Sequence, residues 1–226
     1  MGPAKISAEL PLTQRLVSSK RAVSKNLAGG GIQRQLSTKR PVYQHSDPFT
    51  PETLDRRSFP RGTGEAKCGG NYAGGLYPAM LGAKEGFDQL IWTDGLTHEH
   101  IEESGTMNVF FNIDGTLVTP DLDGTILHGI TRDSILRIAG DQGNKVETRK
   151  VSVKEIVEAA RKGTLRSAFG AGTAATIAHI QSITHNGERF ELPEVSNREI
   201  ANSIGTVLSD IRLGRIADPY GWMVPV

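Results

Sequence analysis

From about residue 51 onward, the spacing of hydrophobic and polar residues alternates between a strand's period and a helix's. Residues 88–93 (DQLIWT) form an apolar run of strand length. Residues 108–113 (NVFFNI) and 116–119 (TLVT) flank Asp114-Gly115, the dipeptide of a type I′ turn, and are predicted to pair as a hairpin. Residues 71–83 have helical spacing, weakened by Gly74, Gly75 and Pro78. Residues 131–139 put Ile135, Leu136 and Ile138 on one helical face, with Gly140 as the stop. Residues 145–150 alternate as a strand, and Ser152 opens a further helix (SVKEIVEAARKG). That helix has a capping box from Ser152 and Glu155 and a stop at Gly163. Residues 168–185 read as strand, Asn186-Gly187 as a second hairpin turn and 189–192 as the returning strand. Residues 196–212 make the last helix, with Glu199 completing a capping box on Ser196. Hairpins among alternating strands and helices predict a mixed sheet in an α/β (mixed α+β) domain over 51–226.

Residues 1–50 follow no such period. Over 1–45 there are eight Lys/Arg against Glu9 alone, seven positive charges in a chain whose net charge is +1, so the remainder is negative by six. Little apolar surface is available there to offset ordering entropy, so the segment is expected to be an unstructured basic leader. Its composition also resembles an organelle transit peptide. Tyr43 is the single aromatic of the basic stretch 1–45, too few for a stacking nucleic-acid tail. One cysteine, Cys68, excludes an internal disulfide and a cysteine-based zinc site. No apolar run has membrane-spanning length, so the chain reads as soluble and cytoplasmic, or mitochondrial if the leader targets it.

The densest chemistry lies at GTGEAKCGGNY, residues 62–72, where Lys67 stands among Gly62, Gly64, Gly69 and Gly70. Glycine lets other groups approach the main chain closely. A flexible loop with a solvated lysine is the plain reading. A phosphate-binding P-loop is excluded, because Cys68 stands where Ser or Thr should follow the lysine. The third reading is a lysine that forms Schiff bases with carbonyl compounds. Pyridoxal phosphate enzymes join such a lysine to an acid at the pyridine nitrogen and a phosphate cup.

The acid is available at Glu102-Glu103. Neighbours on a strand point to opposite faces, so one can meet a site while the other meets water. Gly129-Ile130-Thr131 opens a helix whose free amides attract a dianion, and residues 170–175 (GAGTAA) offer a second nest with the Thr173 hydroxyl. Each alone is also an ordinary cap or turn. His98 and His100 would share a strand face suited to a metal, but no third ligand is visible and no metal is assigned. His128 reads as packing or facing solvent, Cys68 as a structural thiol, and Trp92, Phe110 and Phe111 as core.

Together these strings carry a resemblance. GTGEAKCGGNYAGGLYP (62–78), DQLIWTDG (88–95), IEESGTMNVFF (101–111), TILHGITRDS (125–134), AFGAGTAATIA (168–178) and GWMVPV (221–226) resemble the branched-chain amino acid aminotransferases, fold-type IV pyridoxal phosphate enzymes, over about three quarters of the chain. The resemblance implies that family's large domain, a mixed sheet or pseudo-barrel with flanking helices, working as a homodimer on small molecules, with neither nucleic acid nor membrane as partner. It implies pyridoxal 5'-phosphate as cofactor, and transfer of nitrogen from leucine, isoleucine or valine to 2-oxoglutarate in two half-reactions. By the same resemblance Lys67 holds the cofactor and moves the proton, Tyr72 meets the ring oxygen and Glu103 the ring nitrogen, and Leu127 packs on the ring. Gly129, Ile130, Thr131 and Thr173 make the phosphate cup, and Thr106, Thr173 and Ala174 meet the substrate's carboxylate. D-amino-acid aminotransferases and aminodeoxychorismate lyases share the fold, but KCGGNYA and EESGTMN favour the branched-chain group.

The resemblance stops where the family has a smaller N-terminal domain that supplies a phosphate-binding arginine and part of the substrate pocket. The basic leader stands in its place, and Arg15, Arg21, Arg34 and Arg40 match no such role. A non-catalytic cofactor-binding fragment is therefore the alternative reading. Ala175 and Ala178 occupy the positions of a redox CxxC, so no thiol switch is expected.

Overall fold

The computed structural model describes residues 57–224 and, before them, only the backbone of 42–44. Segment 1–50 otherwise lies outside the described residues, and the family-like tail is described to Val224. The strands run β1 (Val42–Gln44), β2 (Gln89–Thr93), β3 (Ile101–Ser104), β4 (Met107–Ile113), β5 (Thr116–Thr119), β6 (Lys145–Thr148), β7 (Leu165–Gly172), β8 (Thr176–His179), β9 (Ser182–His185) and β10 (Glu188–Glu191). All belong to one mixed sheet of order β10-β9-β1-β2-β3-β4-β5-β6, with β7 on β4 and β8 on β7. The pairs β1–β2, β1–β9 and β5–β6 are parallel and the rest antiparallel.

The branch at β4 organises the molecule. Asn108 pairs with Glu103 of β3, Phe111 with Val118 of β5, and both lie opposite β7, at Ala171 and Ala168. One edge of β4 is thus shared by β3 and β5 while the other runs along β7. Side chains alternate across it. Val109 and Phe111 enter a core with Ile156 and Val157 of α4 (Val153–Arg161). Phe110 enters the opposite core with Ile135 and Ile138 of α3 (Ile130–Asp141) and Ile204 and Leu208 of α5 (Glu199–Arg212). Phe110 stacks on its cross-strand partner Phe169, ring centroids 5.1 Å apart. Trp92, Phe110 and Phe111 are core, as expected.

Both predicted hairpins form. Asp114 and Gly115 have φ of 49° and 86°, and Asn186 and Gly187 have 49° and 75°, the paired positive angles of a type I′ turn. Elsewhere local rules were overridden. The helix expected over 71–83 is two, α1 (Gly69–Ala73) and α2 (Leu76–Lys84), broken at the Gly74-Gly75 pair. Gly140 lies inside α3, which ends at Asp141 with Gln142 as its cap and Gly143 beyond. The apolar run 168–185 is cut into three strands by turns. Ser152 does cap α4, its Oγ accepting the Glu155 N–H at 3.0 Å, but the Glu155 carboxylate turns to Arg149 instead of back to the cap. No capping box opens α5, because Ser196 sits in a preceding 3-10 turn and Arg198 occupies the cap position. His98 is in a turn with φ of 58°, its ring 3.1 Å from the Thr93 hydroxyl, and His100 faces Asp94, so the two do not share a strand face.

Candidate active site

The loop before α1 is held from below by Asn71, which is 6% exposed. Its Nδ2 donates to the carbonyls of Thr63 (2.6 Å) and Ala66 (2.9 Å), and its Oδ1 accepts from the Thr63 hydroxyl (2.8 Å). Both the donor and the acceptor end of the amide side chain shape the turn that delivers Lys67. Gly64 has no room for a side chain, since a Cβ there would lie 2.4 Å from the Thr125 carbonyl oxygen. The loop is therefore fitted to its neighbours, not a flexible tether. Lys67 emerges exposed, its Nζ donating to the Tyr72 hydroxyl at 3.2 Å and lying 5.2 Å from the centre of that ring. Cys68, half-buried at the cap of α1, has its thiol pKa lowered, first by the Thr63 hydroxyl.

Glu103 and Glu102 face opposite sides of β3. Both are buried, at 2% and 4% exposure, which corrects the expectation that one would meet water. The Glu103 carboxylate takes Arg57 Nε on one oxygen (2.8 Å) and the Leu127 N–H on the other (2.9 Å). Burial pushes its pKa up, against the pull of Arg57, of the Leu127 amide and of the Lys67 ammonium. That Lys67 is felt at Glu103 puts the two groups in one electrostatic neighbourhood, where an acidic partner for a lysine-bound group would stand.

Leu127 leads into the candidate phosphate cup. Its carbonyl accepts from Asn108 Nδ2 (2.9 Å) and Gly129 N (2.8 Å). A Cβ on Gly129 would fall 2.0 Å from Asn108 Oδ1, so only glycine lets Asn108 tie this turn to β4. Gly129 caps α3 with no side chain, and among the described residues the first amides of the helix, those of Ile130 and Thr131, find no acceptor. They are free donors at a helix N-terminus, the chemistry that suits a phosphate dianion. Ile130 is 81% exposed, and Arg132 turns inward to the Pro120 carbonyl (2.9 Å) and supplies the cup no charge. His128 beside it is exposed and lies 3.9 Å from Glu65.

Lys67, Tyr72, Glu103, Leu127 and Gly129 are thus linked by hydrogen bonds, by charge interaction or by direct chain continuity. Thr106, in the β3–β4 turn, and Thr173 and Ala174, in the β7–β8 turn, are exposed. The β4–β7 register brings those two turns to the same end of the sheet, and Met107 packs on Gly170 and Gly172. Arg57, Asn71, Asn108 and Thr125 escaped the sequence reading. The two asparagines sit inside GGNY and GTMN and were within reach of it; Arg57 and Thr125 act from loops with no local signature.

The donor set fits a pyridoxal phosphate group: an accessible amine on a tyrosine hydroxyl, a buried carboxylate neutralised by arginine, and uncapped helix amides. Among the described residues no cluster of three metal-binding side chains occurs, and no helix is long and apolar enough to cross a membrane.

Residues 36–183 match the model of the amino-transferase class IV family, a match that begins before the domain boundary expected at residue 51. The branched-chain-amino-acid aminotransferase 2 of Bacillus subtilis is 39% identical over 170 residues, which are 75% of this chain and 47% of that one. The branched-chain aminotransferase of Thermoproteus uzoniensis, solved with norvaline, superposes with a TM-score of 0.65 at 25% identity, over 84% of this chain and 57% of that one. The branched-chain amino acid aminotransferase of Escherichia coli gives a TM-score of 0.63, also at 25% identity, over 80% of this chain and 54% of that one. The chain spans about half the length of the relatives it matches.

Proposed function

The chain belongs to the class IV amino-transferase family, and from that premise we propose that it is a pyridoxal 5'-phosphate-dependent branched-chain amino acid transaminase. The observation that carries the reading is the Lys67 amine on the Tyr72 hydroxyl, within electrostatic reach of the buried Glu103. In this reading the cofactor, when bound, supplies an electron sink for the bond to be broken at the substrate Cα. Lys67 Nζ would move a proton off the Cα of the donor, leucine, isoleucine or valine, in one half-reaction and onto the Cα of the acceptor, 2-oxoglutarate, in the other. Tyr72 orients the amine. Glu103 would set its carboxylate against the ring nitrogen, and the Arg57 guanidinium paired with it favours the ionised form against the burial that pushes its pKa up. Both carboxylate oxygens are already engaged, yet each retains a lone pair for one further donor. The amides of Ile130 and Thr131, with Gly129 and the Thr173 hydroxyl, receive the phosphate, and Thr106 and Ala174 contact the substrate's carboxylate.

The exposed apolar side chains of Leu76, Tyr77 and Met80 support a homodimer, since they follow the lysine loop and are left to water in a single copy. The decisive experiment incubates the full chain with pyridoxal phosphate, leucine and 2-oxoglutarate and measures glutamate. Formation that is abolished in Lys67→Ala supports the transaminase. Cofactor binding without glutamate contradicts it and identifies a binding fragment.

A further inference from the structure

The proton count around Thr125 is not satisfied by two ionised acids. Its Oγ1 lies 2.6 Å from Glu102 Oε1 and 2.6 Å from Asp123 Oδ1. A hydroxyl carries one proton and donates once, and contacts this short each need a proton of their own. One of the two acids must therefore donate to the hydroxyl. Asp123 is exposed, and the same oxygen already accepts the Thr125 backbone N–H (3.1 Å), so it stands as acceptor. Glu102 is buried, and its Oε2 has no partner among the described residues. A neutral carboxyl leaves only a carbonyl oxygen unpaired there, far cheaper than a stranded carboxylate oxygen.

Thr125 is also the point on which the acid of the active site hangs. Its carbonyl accepts from Arg57 Nη1 (2.6 Å) and Ser58 Oγ (2.8 Å), and Arg57 Nε holds Glu103. Its main chain is the surface against which Gly64 of the lysine loop is fitted. We propose that Glu102 is a positioning residue that carries a bound proton, and that this proton locks Thr125, and through it Arg57, onto Glu103. Loss of the proton would set two carboxylates against one hydroxyl and release one arm of the lock.

A cavity of about 250 Å³ beside Glu102 gives that proton a route to solvent. Asp94, Glu99 and His100 face it from the β2–β3 connection, Asp121 and Asp123 from the loop after β5, and Lys150 from the link to α4. Burial pushes the Glu102 carboxyl up to about 7. Asp123 and Asp94 act in the same direction, while the Thr125 hydroxyl and Arg57 oppose it. The catalytic consequence rests on the role proposed above for Glu103; the bound proton does not.

The test is hydrogen exchange at the Leu127 amide, which donates to Glu103, on the full chain without cofactor and corrected for intrinsic base catalysis. In Glu102→Gln the side-chain amide donates to Thr125 at every pH. A closed state that holds a proton the open state has lost weakens by up to about tenfold per pH unit as pH rises between the two pKa values. Relative to Glu102→Gln, wild-type protection should therefore fall by about that factor per unit from 4.5 toward about 7, then level off. A merely structural glutamate gives parallel curves, and parallel curves overturn the proposal. If Glu102→Gln does not fold, the infrared band of a protonated carboxyl decides. A band titrating near neutrality that persists in Glu103→Gln supports the assignment; no such band, or one lost with Glu103, overturns it. Neither measurement depends on transaminase activity.

Discussion

Arg57 Nε stands 2.8 Å from Glu103 Oε2, with both side chains only 3% exposed. A charge pair so far from water is held by its geometry, and removing one partner strands the other. Arg57 also donates to the Thr125 carbonyl and, at 3.4 Å, to that of Gly64. One side chain thus joins the acid of the site to the loop that carries its lysine.

Arg57→Ala is expected to lower the unfolding free energy by about 3–5 kcal/mol, the cost of an uncompensated buried charge. Urea denaturation of the single variant and of Arg57→Ala/Glu103→Gln checks it. The double variant should lose less than the sum of the two single ones, because the second change removes the stranded carboxylate.

Asn71→Ala deprives the Thr63 and Ala66 carbonyls of their donor and leaves the Thr63 hydroxyl without its acceptor. Thr63 and Ala66 are exposed, so the freed groups meet water and the expected cost is about 0.5–1.5 kcal/mol per hydrogen bond lost. Because both carbonyls belong to the lysine loop, pyridoxal phosphate affinity should fall further than thermal stability predicts, as read by titration of the visible absorbance.

The glycines at the site separate by what blocks them. Gly64→Ala meets the Thr125 backbone at 2.4 Å, while Gly129→Ala meets the end of the Asn108 side chain. Overpacking costs typically about 1–3 kcal/mol, and the rigid obstacle belongs at the upper end. Thermal melts should therefore rank Gly64→Ala below Gly129→Ala, with Gly129→Ala losing its Leu127–Asn108 bond in NMR spectra.

His179, packed by β8 against Arg198 and Asn202, has its pKa lowered to about 4 by burial first and by the Arg198 charge second. A histidine held neutral in the fold stabilises above its unfolded value of 6.5 and loses that contribution as pH falls toward 4. About 2–3 kcal/mol of unfolding free energy should disappear across that window. Denaturation at pH 7 and pH 4.5 checks it, and His179→Gln should flatten the difference.

Much of the fold was legible because it rests on local rules. Both Asx-Gly turns, the β4 strand and the Ser152 cap are written in adjacent residues. What failed needed tertiary knowledge: Glu155 left its capping box for Arg149, and Gly140 stayed helical because the chain had not yet reached its αL stop at Gly143. In the candidate site, Lys67, Tyr72 and Glu103 were named from their motifs, and the structure joins the first two by a hydrogen bond. The fate of Glu102 was misread because strand alternation gives two faces but says nothing of what covers the second. Arg57 and Thr125 act across the fold, and no spacing in the sequence connects them.

The central claim is that Lys67 is the residue on which a pyridoxal phosphate aldehyde is held. Borohydride reduction of the chain incubated with the cofactor, followed by peptide mass mapping, tests it most directly. The account predicts one phosphopyridoxyl mass increment, on the peptide containing Lys67, absent in Lys67→Ala. A label spread over other lysines, or undiminished in Lys67→Ala, would contradict it.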